Sequence, residues 1–143
     1  MSSRFLVGVD GSEGAARAAR FAAERARREG GSLLIAYVVD WSPYDVLTPD
    51  EQASRHADRK KEIERAETEV LRPLAASLGE GLAIETLVRH GHVTEALCEI
   101  ARERQVTQIF TGRRGRSKVE ALLFGSVAGS LVQVAPVPVT VVP

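Results

Sequence analysis

The amino-acid sequence predicts an α/β fold in which helices cover both faces of a mostly parallel sheet. Short apolar segments alternate with helix-forming segments along all 143 residues. One apolar segment, residues 33–39, shows no polar alternation, as is typical of a strand with both faces covered. Strands separated by helices pair in parallel, because parallel neighbours need crossover connections. The length suits one unit, so we expect residues 1–143 to form a single domain.

Composition and charge place the chain among ordinary globular proteins. Hydrophobic residues make up 44% and charged residues 27% of the chain, and 19 basic residues balance 19 acidic ones. This balance gives no reason to expect nucleic acid or a membrane surface as a partner. The single cysteine, Cys98, fits a reducing compartment, and the first apolar segment is too short for a signal peptide or a membrane span. We therefore expect a cytoplasmic protein.

The first half of the chain predicts two buried strands and two helices. Residues 5–9 form the first strand, and Ser12 is placed to cap an alanine-rich helix that ends at the Gly30-Gly31 pair. Residues 33–39 form the second strand, and residues 40–49 are predicted to be a loop.

A long charged stretch comes next, and its apolar residues recur at three- and four-residue steps. This spacing predicts an amphipathic helix that ends at Gly79 and Gly81, with a kink or break at Pro73. The apolar stripe consists of Ala53, Ala57, Ile63, Ala66, Val70, Leu74 and Leu78.

The second half of the chain continues the alternation of strands and helices. Residues 82–88 alternate in part, which favours a strand at the edge of the sheet. The remaining elements are a helix over residues 93–104, a short strand at 109–110, a loop from Gly112, a helix over 125–134 and a last strand over 137–142.

Glycine spacing near the end of the chain carries the strongest functional signal. Two residues separate Gly112 from Gly115, and nine residues separate Gly115 from the pair Gly125-Ser126. Glycines let the backbone approach a ligand closely and present N–H groups to phosphate oxygens. Gly125, Ser126 and Val127 open a helix whose free N–H groups and dipole favour an anion. The spacing therefore predicts a phosphate-binding loop, with an ordinary surface loop as the alternative.

Two other phosphate-binding motifs are missing from the sequence. No Gly-Lys dipeptide occurs, which excludes a Walker A loop. No G-x-G-x-x-G segment follows the first strand, which excludes the dinucleotide-binding fingerprint.

Three segments together resemble the universal stress protein family. They are the G-x2-G-x9-G-[S/T] spacing, residues 7–12 at the end of the first strand and residues 136–139 near the end of the chain. The likeness extends over the whole chain. It implies a Rossmann-like fold of the adenine-nucleotide alpha-hydrolase type, with five parallel strands in the order 3-2-1-4-5. It also implies that ATP, with or without Mg²⁺, binds between the first and fourth strands, at a switch point of the sheet.

Carried over by position, the resemblance implies a set of nucleotide contacts. Gly8 and Asp10 would meet the adenine side and the ribose, and the backbone of Val38 would hydrogen-bond the adenine. Asp10 has an alternative role as the cap of the turn or helix that follows it.

The same resemblance assigns the phosphate side. Gly112 and Gly115 would approach the ribose and phosphates. Independently of the resemblance, one or two of the basic residues Arg113, Arg114, Arg116 and Lys118 are candidates to reach the triphosphate, Arg113 first, and a solvated basic face is the alternative. The phosphates would bind Gly125, Ser126 and Val127. Thr111, beside the first glycine of the motif, is also predicted to belong to the nucleotide site. Two residues depart from the family pattern: Thr111 stands at a frequent Met and Thr107 at a frequent Asp. Neither departure changes a motif glycine.

The leading functional hypothesis is an ATP-binding module in regulation or the stress response. A slow ATPase or phosphotransferase and a nucleotide-independent dimeric scaffold are the alternatives, and AMP or a cyclic nucleotide could replace ATP as the ligand. No catalytic residue is assigned, because no general base or dedicated magnesium carboxylate is identifiable. His90 and His92 lack nearby ligands to complete a metal site, so no metal site is expected.

The partner expected is a second copy of the chain. Residues 137–142 are apolar and are predicted to lie at a sheet edge, where an uncovered strand invites pairing. The resemblance implies that this strand pairs across a homodimer.

Overall fold

The computed structural model describes residues 2–40, 48–115 and 125–143. The strands are Arg4–Val9 (β1), Ser32–Asp40 (β2), Ala83–Gly91 (β3), Gln108–Gly112 (β4) and Val139–Val142 (β5). The helices are Glu13–Glu29 (α1), Pro49–Arg65 (α2), Arg72–Ser77 (α3), Val93–Glu103 (α4) and Ser126–Val134 (α5), and a π-helical segment, Ala66–Leu71, joins α2 to α3. Most of the predicted loop after β2 and the central part of the glycine-rich segment lie outside the described residues.

The strands form one parallel sheet in the order β3-β2-β1-β4-β5. This is the order implied by the resemblance, and it confirms the predicted fold class. Both strands that were expected at edges, β3 and β5, lie at edges. Strands β2 and β3 are added on one side of β1, and strands β4 and β5 are added on its other side.

Two hydrophobic cores cover the two faces of the sheet. One core packs the buried alanines of α1 against Phe5, Val7 and Phe110. The other packs α4 and α5 against the opposite side chains of the same strands, such as Leu6 and Ile109. Alternate residues of each strand therefore face different helix layers, which explains the continuous apolar strand segments.

Helix α1 has the boundaries that its sequence predicts. The Oγ of Ser12 accepts a hydrogen bond from the N–H of Ala15 at 3.2 Å, which caps the helix. Gly30 ends it in the left-handed region with φ of 66°, where a residue without Cβ is favoured. Six alanines on the inner face of α1 are buried, so the helix lies close to the sheet.

Helix α2 begins earlier than the apolar stripe suggests. Thr48 and Glu51 form a reciprocal capping box, and Pro49 occupies the first turn, so the loop expected over residues 40–49 ends at Thr48. The irregularity expected at Pro73 lies just before it, in the π-helical segment. There the N–H of Arg72 donates to the carbonyl of Glu67, five residues back. Proline has no N–H to continue the α-helical pattern, so the break precedes it.

β1 and β2 differ from their predicted ranges by at most one residue at either end, and the other three strands differ by more. β3 extends to Gly91 and β4 to Gly112, because each pairs along its length with a neighbouring strand. β5 begins at Val139 instead of residue 137; the carbonyl of Pro138 accepts from Ile109, but proline has no N–H to donate to the sheet. Within the described ranges, every helix is too short or too polar to cross a membrane.

Candidate functional site

A cavity of about 310 Å³ opens at the carboxyl ends of β1 and β4. This is the size at which small-molecule sites begin, about 300–1,000 Å³. At β1 the strand order changes side, because β2 lies on one side of β1 and β4 on the other. Ligands of open α/β sheets bind at such a switch point. All ten residues predicted for the site line the cavity: Gly8, Asp10, Val38, Thr111, Gly112, Arg113, Gly115, Gly125, Ser126 and Val127.

One end of the cavity is apolar. Ala36 and Val38 of β2 line it together with Val93 and Leu97 of α4. A Cβ added to Gly8 would lie 2.8 Å from Cδ1 of Leu97, so glycine at this position lets α4 pack closely over β1. We call this apolar end of the cavity the apolar slot.

The opposite end is built by close backbone contacts between three elements. A Cβ on Gly112 would lie 3.0 Å from the carbonyl of Gly14, which brings the end of β4 against the first turn of α1. A Cβ on Gly14 would likewise lie 2.9 Å from the carbonyl oxygen of Arg114. Small residues are required here because backbone packs on backbone.

Arg113 connects this end to the rest of the sheet through its main chain. Its N–H donates to the carbonyl of Val142 at 2.9 Å, and its carbonyl accepts from the N–H of Gly125 at 2.7 Å. The segment after β4 is thereby fixed to both β5 and the start of α5. Arg113 and Arg114 also line the cavity and bring positive charge to it.

Helix α5 directs its first turn into the cavity. Gly125 is the N-cap residue, in an extended conformation, and Ser126, Val127 and Ala128 line the cavity wall. The first N–H groups of a helix have no partner within it, and the helix dipole makes this end positive. The arrangement favours an anionic group at this end.

Asp10 stands at the middle of the cavity. Its Oδ1 accepts a hydrogen bond from the N–H of Ser12 at 3.0 Å, so the carboxylate holds the turn before α1, as its alternative role predicts. The other oxygen, Oδ2, lies next to Gly115, at 2.6 Å from the place a Cβ would take. Asp10 therefore serves the turn and lines the cavity at the same time.

The sequence did not predict several residues of the cavity wall. Ala36, Val93 and Leu97 carry the same apolar signal as the core residues beside them, and nothing in the pattern separates the two roles. Arg114 has the same charge as the other basic residues of its segment, so the sequence does not single it out, and Arg116 and Lys118 of that segment lie outside the described residues. The other lining residues that were not predicted are Val9, Ser12, Ala15 and Ala128.

His90, His92 and Cys98 are not among the residues that line this cavity. His92 precedes α4 as its N-cap residue, and in the described part of the chain no three His, Cys, Asp or Glu side chains are grouped as a metal site would need. Cys98 is buried on the inner side of α4, and burial raises the pKa of its thiol. Both features agree with a structural role for Cys98.

Comparison with known proteins finds one family along the whole chain. A sequence model of the universal stress protein family matches residues 1–143. A universal stress protein of Mycolicibacterium smegmatis is 34% identical over 148 residues, which cover 96% of this chain and 47% of that protein. The chain thus spans about half the length of the mycobacterial relatives that it matches.

Solved structures with the same fold include proteins bound to nucleotides. The universal stress protein UspA of Lactobacillus plantarum superposes with a TM-score of 0.82 at 24% identity, over 99% of this chain and 97% of that one. A universal stress protein in complex with cAMP has a TM-score of 0.67 at 23% identity, with 99% and 97% covered. One from Archaeoglobus fulgidus in complex with dAMP has a TM-score of 0.61 at 21% identity, with 100% and 98% covered.

These structural likenesses show the fold, and the match of the family along the whole chain shows the lineage. The strand order of the sheet agrees with the fold of these neighbours. The chain belongs to the universal stress protein family.

Proposed function

We propose that this chain binds an adenine nucleotide, ATP in the first place, and acts as a regulatory or stress-response binding module. The observation that carries the proposal is the cavity itself, in which an apolar slot at β2 and an anion-favouring end at β4 lie on either side of β1. The parts of a nucleotide follow the same order, because a flat base is joined through a sugar to anionic phosphates.

The residues present fit such a ligand. Val38 ends a buried strand beside the apolar slot, where its backbone can meet the edge of the base. Arg113, Arg114 and the first turn of α5 supply positive charge and N–H donors at the other end. Gly112 and Gly115 keep the wall between the two ends free of side chains.

The nucleotide complexes of two neighbours support the adenine part of the proposal. Their ligands, cAMP and dAMP, share the adenine base and differ in the sugar and phosphate. Adenine is therefore the common feature, and the number of phosphates is the part that must be measured on this chain. Mg²⁺ would be held chiefly by the phosphates, as is usual for this ion.

Titration calorimetry on the purified chain tests the proposal. ATP, ADP, AMP and cAMP are titrated with Mg²⁺ and with EDTA, and the small molecules that co-purify are identified by mass spectrometry. We expect ATP to bind more tightly than AMP, because Arg113, Arg114 and α5 act on the added phosphates. A chain with native circular dichroism that binds none of the four ligands would contradict the proposal and favour the nucleotide-independent scaffold.

The same sample separates binding from catalysis. Release of inorganic phosphate from ATP is followed over hours, in wild type and in a Ser126→Ala variant. Turnover above the uncatalysed rate that depends on Ser126 would promote the slow ATPase alternative. We expect ATP to remain intact over the time of a binding experiment.

We further propose that β5 pairs with its counterpart in a second copy of the chain. The carbonyl of Pro138 accepts a hydrogen bond from Ile109 of β4, and the carbonyl of Val142 accepts one from Arg113, the residue after β4. The backbone groups of Val139 and Val141 therefore point to the open side of the sheet. Strand β5 is only partly buried, and an edge of this kind can extend across two chains.

A proline variant tests this pairing without disturbing the sheet within one chain. Val141→Pro removes an N–H that points outward, and proline is tolerated on edge strands in this orientation. We expect sedimentation velocity at micromolar concentration to give a dimer for the wild type and a larger monomer fraction for Val141→Pro. A wild-type monomer at these concentrations would contradict the pairing.

A further inference from the structure

Thr111 is the one polar or charged residue that is buried among the residues the structure describes. It is 5% exposed, and what remains accessible faces the cavity, whose wall it forms at the end of β4. A buried hydroxyl costs free energy unless it is hydrogen-bonded. The burial of this single hydroxyl beside a ligand cavity therefore points to a partner within the cavity.

The hydrogen bond that Thr111 makes in the described part of the chain is a weak one. Its Oγ1 donates to the carbonyl oxygen of Gly112 at 3.3 Å, beyond the usual range for a hydroxyl donor. A threonine hydroxyl has two acceptor lone pairs as well as its proton. The bond to Gly112 uses the proton and leaves the lone pairs of the oxygen to a donor from a ligand.

The register of the sheet places Thr111 between the two ends of the cavity. Val7 pairs with Phe110, so Gly8 and Thr111 come next on adjacent strands, and Gly8 pairs with Ala36. Phe110 belongs to the core on the α1 side, so Thr111 faces the side of α4 and α5, as Ala36 does. Ala36, Gly8 and Thr111 thus form one row across the floor, with neighbouring strands about 4.8 Å apart.

The position of Thr111 in this row indicates which part of a bound nucleotide lies next to it. The apolar slot begins at Ala36, two strands away or about 10 Å, and the anion-favouring end begins at the next residues of the same segment, Gly112 and Arg113. A nucleotide lying between these ends has its sugar over Gly8 and Thr111. Asp10 faces the same middle region from the end of β1.

We propose that Thr111 recognises the sugar of the bound nucleotide by accepting a hydrogen bond from a ribose hydroxyl. The inference rests on the proposed function, since it assigns a contact within that site. A ribose carries two hydroxyls, and both Thr111 and Asp10 line the cavity between its two ends, so Thr111 takes one hydroxyl and Asp10 the other. Thr111 is thereby a specificity residue that favours ribonucleotides over one class of deoxynucleotide.

The test compares Thr111→Val with Thr111→Ser by calorimetry. Valine keeps the shape of threonine and removes the hydroxyl, whereas serine keeps the hydroxyl and is the matched control. Each protein is titrated with ATP, 2′-deoxy-ATP and 3′-deoxy-ATP. We expect Thr111→Val to bind ATP about three- to tenfold more weakly, the effect of one neutral hydrogen bond, and Thr111→Ser to stay within about twofold of wild type.

The deoxynucleotides identify the hydroxyl and decide the outcome. For the analogue that lacks the hydroxyl bound by Thr111, wild type and Thr111→Val should bind equally, while the other analogue should still show the loss. Equal affinity of Thr111→Val and wild type for ATP would overturn the inference, as would a loss of the same size for all three ligands. Equal binding of the three nucleotides by wild type overturns it without any variant. If wild type binds none of them, the proposed function itself fails.

Discussion

The carboxylate of Asp10 and the α-carbon of Gly115 are packed so closely that no side chain fits between them. A Cβ on Gly115 would lie 2.6 Å from Oδ2 of Asp10, closer than nonbonded atoms approach. The other oxygen of Asp10 is held by the N–H of Ser12 at 3.0 Å, so the carboxylate cannot turn away without losing that bond. Glycine at position 115 is therefore required by a contact inside the cavity.

Replacing Gly115 should weaken nucleotide binding and leave the fold intact. In Gly115→Ala the new methyl displaces the carboxylate of Asp10, and in Gly115→Val the branched side chain also fills cavity space. We expect calorimetry to give a dissociation constant for ATP at least tenfold higher for Gly115→Val than for wild type, a loss of about 1.4 kcal/mol of binding free energy. The dissociation constant of Gly115→Ala should lie between those of wild type and Gly115→Val.

Gly129→Ala is the matched control for these variants. Gly129 lies within α5, outside the cavity wall, and a Cβ there would meet nothing within 4 Å. The control should bind ATP as wild type does. Unchanged nucleotide binding by Gly115→Val would contradict the assignment of the glycine-rich segment to the site.

Gly129→Ala should also stabilise the protein. Its N–H donates to the carbonyl of Gly125 at 3.1 Å within the helix, so its backbone is already helical. Alanine in a helix interior is favoured over glycine by roughly 0.5–1 kcal/mol, since glycine loses more backbone freedom on folding. Thermal unfolding should show a midpoint about 2–4 °C higher than wild type. A midpoint lower than that of wild type would contradict the prediction that a methyl group at position 129 is accommodated without strain.

Much of the fold could be predicted from the sequence, because strand segments and glycines have strong local signals. Residues 33–39 are continuously apolar, and Gly30 adopts the left-handed conformation that its place at the end of α1 suggests. The sequence prediction places the start of α2 within one residue but does not identify its capping box, although that signal is present in the sequence. Thr48 and Glu51 have capping-box spacing, but the apolar stripe that was followed begins only at Ala53.

Without the family resemblance, which supplied Val38 and Asp10, the candidate site could be predicted only where backbone geometry selects the residue type. Gly112 and Gly115 are glycines because another backbone or a carboxylate lies against them. Leu97 lines the cavity, yet it has the apolar character of any residue on the inner face of α4, and its role appears only when α4 is placed over Gly8. The strand order came from the family resemblance, since alternation of strands and helices is compatible with several orders.

The ion pair between Arg89 and Glu103 should give stability a dependence on acidic pH. The guanidinium of Arg89 donates to both oxygens of Glu103, at 3.2 and 2.6 Å, and joins the edge strand β3 to α4. These hydrogen bonds hold the pKa of Glu103 below its ordinary value. Because the folded-state pKa is the lower one, the stabilisation is present above the unfolded-state pKa and is lost as pH falls through the folded-state pKa.

The comparison of wild type with Glu103→Gln over pH 3 to 7 measures this effect. The wild type should be the more stable protein near neutral pH, by a small amount because the pair is exposed. The difference should shrink below roughly pH 4.3, the ordinary pKa of a glutamate. Glu80→Gln, at an exposed turn residue, serves as the control. A difference that does not change with pH would show that the pair acts through packing and not through charge.

Cys98 should react slowly with thiol reagents in the folded protein. It is 4% exposed, and burial raises the pKa of its thiol more strongly than the nearby charge of Arg102 lowers it. Only the thiolate is nucleophilic, so a raised pKa and poor access act in the same direction. At pH 8 we expect iodoacetamide to label Cys98 far more slowly in buffer than in urea, and the native rate to keep rising above pH 9. Native labelling as fast as in urea would mean that α4 opens readily from the sheet, which would also expose the apolar wall of the cavity beside Leu97.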